Sequence, residues 1–165
     1  MSSLAFNVVG FIIPMTVGVM LFVVIGWVVK PSINDPEIVK VFWPVIVLLP
    51  MFAYISYSLE PMQLVSKHGV SINYAMLSFV SVYQIQLVVW RFHKFALAIS
   101  YLMGFIVGVL SDVVGLFTLS GTVVFGGNGI RDADFWSPVI VFLLTVGAVL
   151  YVRLYDKHRK KAKFT

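Results

Sequence analysis

Residues 95–119 read FALAISYLMGFIVGVLSDVVGLFTL, an apolar run whose one charged side chain, Asp112, lies well inside it. A helix of this length crosses about 30 Å of hydrocarbon, at about 1.5 Å per residue. A carboxylate in that medium costs several kcal/mol unless something pairs with it or protonates it. What surrounds Asp112 is therefore the question on which the fold and the function both turn.

Four more apolar runs flank this one. They span about 8–29, closed by Lys30 and Pro31; 41–59, between Lys40 and Glu60-Pro61; 70–90, ended by Arg91; and 136–155. Hydrophobic residues make up 60% of the 165-residue chain and charged residues 12%, against about 45–50% and about 25% in soluble domains. So short a chain cannot bury that many apolar side chains, so lipid must cover them. The runs lack the two-residue alternation of a membrane barrel. The expected fold is all-α: a polytopic membrane bundle of five transmembrane helices, forming one domain over 1–165 with a basic tail at 156–165. Pro44 and Pro138 fall near helix starts, where proline is tolerated, and Pro14 and Pro50 are the expected kinks. The first run has no basic segment before it and no small-residue cleavage site, so it reads as a retained span rather than a signal peptide.

Loop charge gives a direction. Lys30, Lys40, Arg91, Lys94 and six basic residues after position 150 fall on one side; Lys67 and Arg131 fall on the other. The bias predicts an external N-terminus and a cytoplasmic C-terminus in a multi-pass protein of the cell membrane. The net charge of +5 then belongs to the tail, where Arg153, Lys157, Arg159, Lys160, Lys161 and Lys163 would meet anionic lipid headgroups. No basic surface interleaved with aromatics suggests nucleic acid. Cysteine is absent, which excludes disulfides and thiolate chemistry.

Within the fourth run, Ala96, Ser100, Gly104, Gly108 and Asp112 recur every four residues and share one helix face. Such small-residue faces let helices approach closely in lipid, so Asp112 should face a protein neighbour. The short link Arg91-Phe92-His93-Lys94 makes the third run the expected partner. That run carries Ser71, Tyr74, Ser78, Ser81 and Gln84 along one side, with Asn73 and Gln86 nearby. Its outer end (Ser71, Asn73, Tyr74) is expected to hydrogen-bond Asp112.

The outer loop continues Gly126-Gly127-Asn128-Gly129-Ile130-Arg131-Asp132-Ala133-Asp134-Phe135-Trp136. Its glycines supply positive backbone torsions and can turn amides toward an acid or an anion. One reading has Asp132 or Asp134 capping the fifth helix, with Phe135-Trp136 at the interface. Another has the loop folding back so that Asp132 approaches Asp112. An intramembrane Asp followed by Gly-Gly-x-Gly-x-x-Asp-x-x-Phe resembles the C-terminal part of a family of uncharacterised prokaryotic integral membrane proteins, over about residues 104–145. More distantly, Gly127-x-Gly129 with Asp132 is similar to the Gly-x-Gly-Asp element of intramembrane aspartyl proteases, although Ile130 and Arg131 intervene here. That likeness implies Asp112 and Asp132 as a catalytic pair.

His68, His93 and His158 have no helical metal spacing, and no nucleotide or serine-nucleophile motif occurs, so neither metal nor cofactor is expected. Three functions stay open. The first is a structural or accessory subunit of a larger membrane assembly or homo-oligomer, with a polar centre at Asp112. The second is a proton or cation pathway through Asp112 and the acidic outer loop; the third is a hydrolase using Asp112 and Asp132.

Overall fold

The computed structural model describes residues 3–29, 47–51, 53–55, 58, 63–65, 71–118, 122–127 and 129–161. Asn7 starts the first helix: its Oδ1 accepts the Gly10 N–H at 3.2 Å, satisfying one of the amides a helix N-terminus leaves over. The helix that follows, α1 (Val8–Val29), has the span read from the sequence and runs through Pro14 without a break. Of the second run, the described residues 47–51, 53–55 and 58 are helical. The rest of that run and the loops around it lie outside the described residues.

The third run differs from expectation at its start. Residues 71–73 form a strand, β3 (Ser71–Asn73), paired antiparallel with β2 (Gln63–Val65) in the register Gln63–Asn73, Leu64–Ile72 and Val65–Ser71. The ladder takes up backbone groups that a helix starting at residue 70 would have had to satisfy itself. Helix α2 (Tyr74–Val89) is therefore 16 residues long, about 24 Å at about 1.5 Å per residue and shorter than a bilayer core.

A tight helix–helix turn follows. The Arg91 N–H donates to the Val88 carbonyl at 3.0 Å and the Phe92 N–H to the Leu87 carbonyl at 2.9 Å, the paired bonds of a Schellman stop. Arg91 takes the left-handed position with φ 72°, a place usually given to glycine. The Phe92 carbonyl then accepts the Ala96 N–H at 2.9 Å, opening α3 (His93–Thr118). The last helix, α4 (Ala133–Lys161), is longer than the expected 136–155 span, so the basic segment expected as a tail is helical as far as Lys161.

The chain is an all-α helical bundle, with two small two-stranded sheets among the described residues. Helix α3 is its centre and touches α1, α2 and α4. The main core lies where α2, α3 and α4 meet: Val80, Leu87 and Val88 pack with Phe95, Ile99, Met103 and Val107, and with Val141 and Val149. Helix α1 lies on another side of α3, where Phe11 meets Phe105 edge-on at 5.5 Å and Gly18 faces Tyr101 and Leu102.

Among the described residues, three helices, α1, α3 and α4, are long and apolar enough to cross a membrane, as in an integral membrane protein. Most of α1 is uncovered: Trp27 is 78% exposed and Met20 60%. Burying such side chains stabilises by about 1.5–3 kcal/mol each, so this face would gain from lipid or protein cover.

Two short strands complete one end. β1 (Ser3–Phe6) pairs parallel with β4 (Thr122–Phe125), from Ser3–Thr122 to Phe6–Phe125. The segment expected to be a loop at 120–135 thus contains a strand, followed by a 3-10 turn at Gly129–Arg131. This cap end holds the starts of α1 and α4 and the finish of α3; the α2–α3 turn and the end of α4 lie at the opposite, basic end.

Candidate functional site

Gly104 and Gly108, in the small-residue stripe on α3, face α4. A Cβ added at Gly104 would lie 3.0 Å from Pro138 Cα, and one at Gly108 would overlap Asp134 Oδ1 and sit 2.9 Å from its Cγ. The partner is α4. Asp134 and Pro138 are four residues apart, as are Gly104 and Gly108, so the two faces mesh in an antiparallel register. Bulky side chains on α3 would hold the helices apart at this point; glycine lets the Pro138 ring and the Asp134 carboxyl lie on the backbone itself. At Gly104 and Gly108 the neighbour is thus α4 rather than the expected third run, while α2 packs against α3 elsewhere.

Asp112 stands one helical turn beyond Gly108 on the same face of α3. Asp112 is half-buried and its Oδ2 is shielded from solvent. The acid brought onto its helix face is Asp134. The Asp132 Oδ1 accepts the Asp134 N–H at 3.2 Å, which makes it the cap of α4, and its carboxyl stands against Gly127, where an added Cβ would be 2.7 Å from Cγ. Of the acids in the loop, then, one starts the helix and the next enters the seam.

The cap around these acids is built from backbone. Asn7 Nδ2 donates to the Gly127 carbonyl at 3.0 Å, and the Asn7 N–H donates to the Phe125 carbonyl at 2.8 Å. A Cβ at Gly10 would overlap the Gly126 carbonyl oxygen and lie 2.7 Å from Gly129 Cα, so α1 and the loop meet main chain to main chain. Gly126 and Gly129 have φ of 77° and 72°, torsions that glycine adopts without the penalty of a Cβ. Phe6 and Phe11 meet at a tilt beside this contact, with centroids 4.7 Å apart, and Trp136 Nε1 donates to the Ile130 carbonyl at 2.8 Å. Arg131 is exposed; Asn128 lies outside the described residues.

On α2, Gln84 is fully buried and Ser81 nearly so. Gln84 Nε2 points at Met103 Sδ across the α2–α3 contact at 3.4 Å. Ser78 is exposed, as is Gln86. The buried face of α2 is centred between Val80, Ser81, Gln84, Leu87 and Val88, roughly a third of a turn from Ser78 at about 100° per residue. The side chains of Ser71, Asn73 and Tyr74 lie outside the described residues, and with them the expected bonds to Asp112. Other buried hydroxyls bond within their own helices: Ser100 Oγ to the Leu97 carbonyl at 3.1 Å and Thr145 Oγ1 to the Val141 carbonyl at 2.8 Å.

At the basic end, Arg91 grips Asp156 through both guanidinium nitrogens, Nη1 to Oδ2 and Nη2 to Oδ1, the latter at 3.2 Å. The neighbouring carboxylate raises the pKa of the guanidinium above its ordinary value, by hydrogen bonding first and by charge second. These residues stand 65 positions apart, too far for a local sequence pattern to pair them.

The α3–α4 contact is therefore a close-packed seam that Asp134 enters beside Gly108, one turn from Asp112, next to a glycine-built cap that Asn7 ties to α1. No protein-family model matches this chain, and no curated protein or solved structure matches it either.

Proposed function

We propose that this chain is a non-catalytic subunit of a larger membrane assembly, with Asp112 as a polar anchor of its α3–α4 seam. In this reading it crosses the cell membrane five times, with the N-terminus outside and the basic end in the cytoplasm. The observation that carries it is the meshing of Gly104 and Gly108 with Pro138 and Asp134: small and polar residues are spent on holding helices together. Asp132 in its capping bond and the hydroxyls bonded within their helices agree with that use. The uncovered apolar face of α1 leaves room for further subunits or for a second copy.

A second reading draws on the arrival of Asp134 beside the Asp112 stripe. Two acids on one intramembrane seam are the chemistry of a proton or cation pathway. The hydrolase reading has less support, because the carboxyl of Asp132 is engaged at Gly127 and at the start of α4.

The test is Asp112→Asn, with three readouts from native membranes: the mass of the extracted assembly, its thermal stability, and proton flux after reconstitution. A structural anchor predicts a lighter or less stable assembly and no flux from either form. Flux from the purified wild-type chain that disappears in a fully stable variant would overturn the subunit reading in favour of the pathway.

A further inference from the structure

The face that α2 turns toward the bundle is not uniformly apolar. Gln84 is fully buried and Ser81 is 7% exposed, and their spacing puts them on one helix face. Around them Val80, Leu87 and Val88 pack against Met103 and Val107 of α3 and Val141 of α4. The Gln84 amide is held in one orientation. Its Nε2 meets Met103 Sδ at 3.4 Å; a thioether sulfur accepts and cannot donate, so Oε1 is the end turned away. Among the described residues, neither Gln84 Oε1 nor Ser81 Oγ has a hydrogen-bonding partner.

Ser81 differs in this from Ser100 and Thr145. Those hydroxyls bond carbonyls of their own helices at 3.1 and 2.8 Å, the local way for a helical hydroxyl to be satisfied. Ser81 leaves that bond unmade. An amide oxygen and a hydroxyl shut away together lose more than a typical hydrogen bond contributes, unless something between them supplies the missing bonds. Residues three apart on a helix have Cβ atoms about 5–6 Å from one another, a gap spanned by one molecule making two bonds of about 2.8 Å. The occupant has to donate to Oε1 and to bond the hydroxyl in either sense. It also has to be neutral, because every polar side chain buried among the described residues is uncharged, and a cation there would lack a buried carboxylate to balance it. From these two unpartnered groups on one buried face we propose that Ser81 and Gln84 form a binding site for one water molecule, which bridges Ser81 Oγ and Gln84 Oε1 beside Met103. Such a bridge completes the polar contact by which the short helix α2 holds to α3. The site depends on how α2 packs against α3 and not on the role of the chain in a larger assembly, so its failure would leave the subunit reading untouched.

The experiment uses the full isotope-labelled chain in lipid bilayers, with solid-state NMR to follow magnetisation passing from water to individual sites. The Gln84 side-chain amide should build up signal at least about fivefold faster than the backbone amides of Ala96 and Val107, which are buried on α3 to either side of Met103. Ser81→Ala should slow Gln84 to the level of those amides. Ser100→Ala, which removes a hydroxyl already bonded within its own helix, should leave the Gln84 transfer unchanged. A wild-type Gln84 as slow as Ala96 and Val107 would overturn the site, since the contact would then be dry. Undiminished transfer in Ser81→Ala, or an equal loss in Ser81→Ala and Ser100→Ala, would overturn it as well.

Discussion

The two ends of this bundle are fastened by different means. At the cap end, α1 meets the loop at Gly10, Gly126 and Gly129 with no side chain between them, and Asn7 caps α1 while it holds the loop at Gly127. At the basic end, an ion pair that water can reach joins the α2–α3 turn to α4, beside apolar side chains that can shift against one another. Backbone contact tolerates no added atom, since neither partner can rotate away; an exposed ion pair yields to salt and to side-chain motion. The difference teaches where the molecule is specified in detail and where it is adjustable.

Substitutions at the cap should therefore cost most. Gly10→Ala drives a methyl into the Gly126 carbonyl and should destabilise by about 3 kcal/mol, the upper range for overpacking; a melting temperature in detergent equal to wild type would break the comparison. Asn7→Ala removes the cap of α1 and the bond to Gly127 together, for about 2 kcal/mol, and should speed hydrogen exchange at Gly10 and in the loop. Gly108→Ala should cost less, about 1 kcal/mol, because the Asp134 carboxyl it meets can turn aside where a carbonyl of the chain cannot. At the basic end, Arg91→Ala should shift the melting temperature less than any of these, and the shift should vanish at high salt. Arg91→Gly should be milder still, since glycine relieves the φ of 72° that arginine bears. Gly147, with open space around its Cα, sets the lower bound: Gly147→Ala should leave stability unchanged or raise it by about 0.5–1 kcal/mol through helix propensity.

The sequence was most legible where the signal is local. The bounds of α1 follow from an unbroken apolar run, and Asn7 directly before it is a capping signal that went unused. The stripe from Ala96 to Asp112 was readable as a contact face, but its partner was not: proximity along the chain favoured α2, whereas shape favoured α4. The clue was Asp134 and Pro138, which repeat the four-residue step of Gly104 and Gly108 on the facing helix. The positive torsions of Gly126 and Gly129 were expected from composition. The pairing of β1 with β4 was not, because strands of four residues carry little periodicity and their pairing spans most of the chain. Arg91 and Asp156 likewise meet only through the packing of α4 on the hairpin.

The central claim is that Asp112 and Asp134 belong to one seam, between α3 and α4. Because the natural chain has no cysteine, paired substitutions report that seam directly in native membranes. A Cβ at Gly104 would lie 3.2 Å from Pro138 Cβ, so Gly104→Cys with Pro138→Cys should cross-link rapidly under mild oxidation, while Gly104→Cys with Ser81→Cys should not. A cross-link from position 104 to position 81, with none to position 138, would contradict the account.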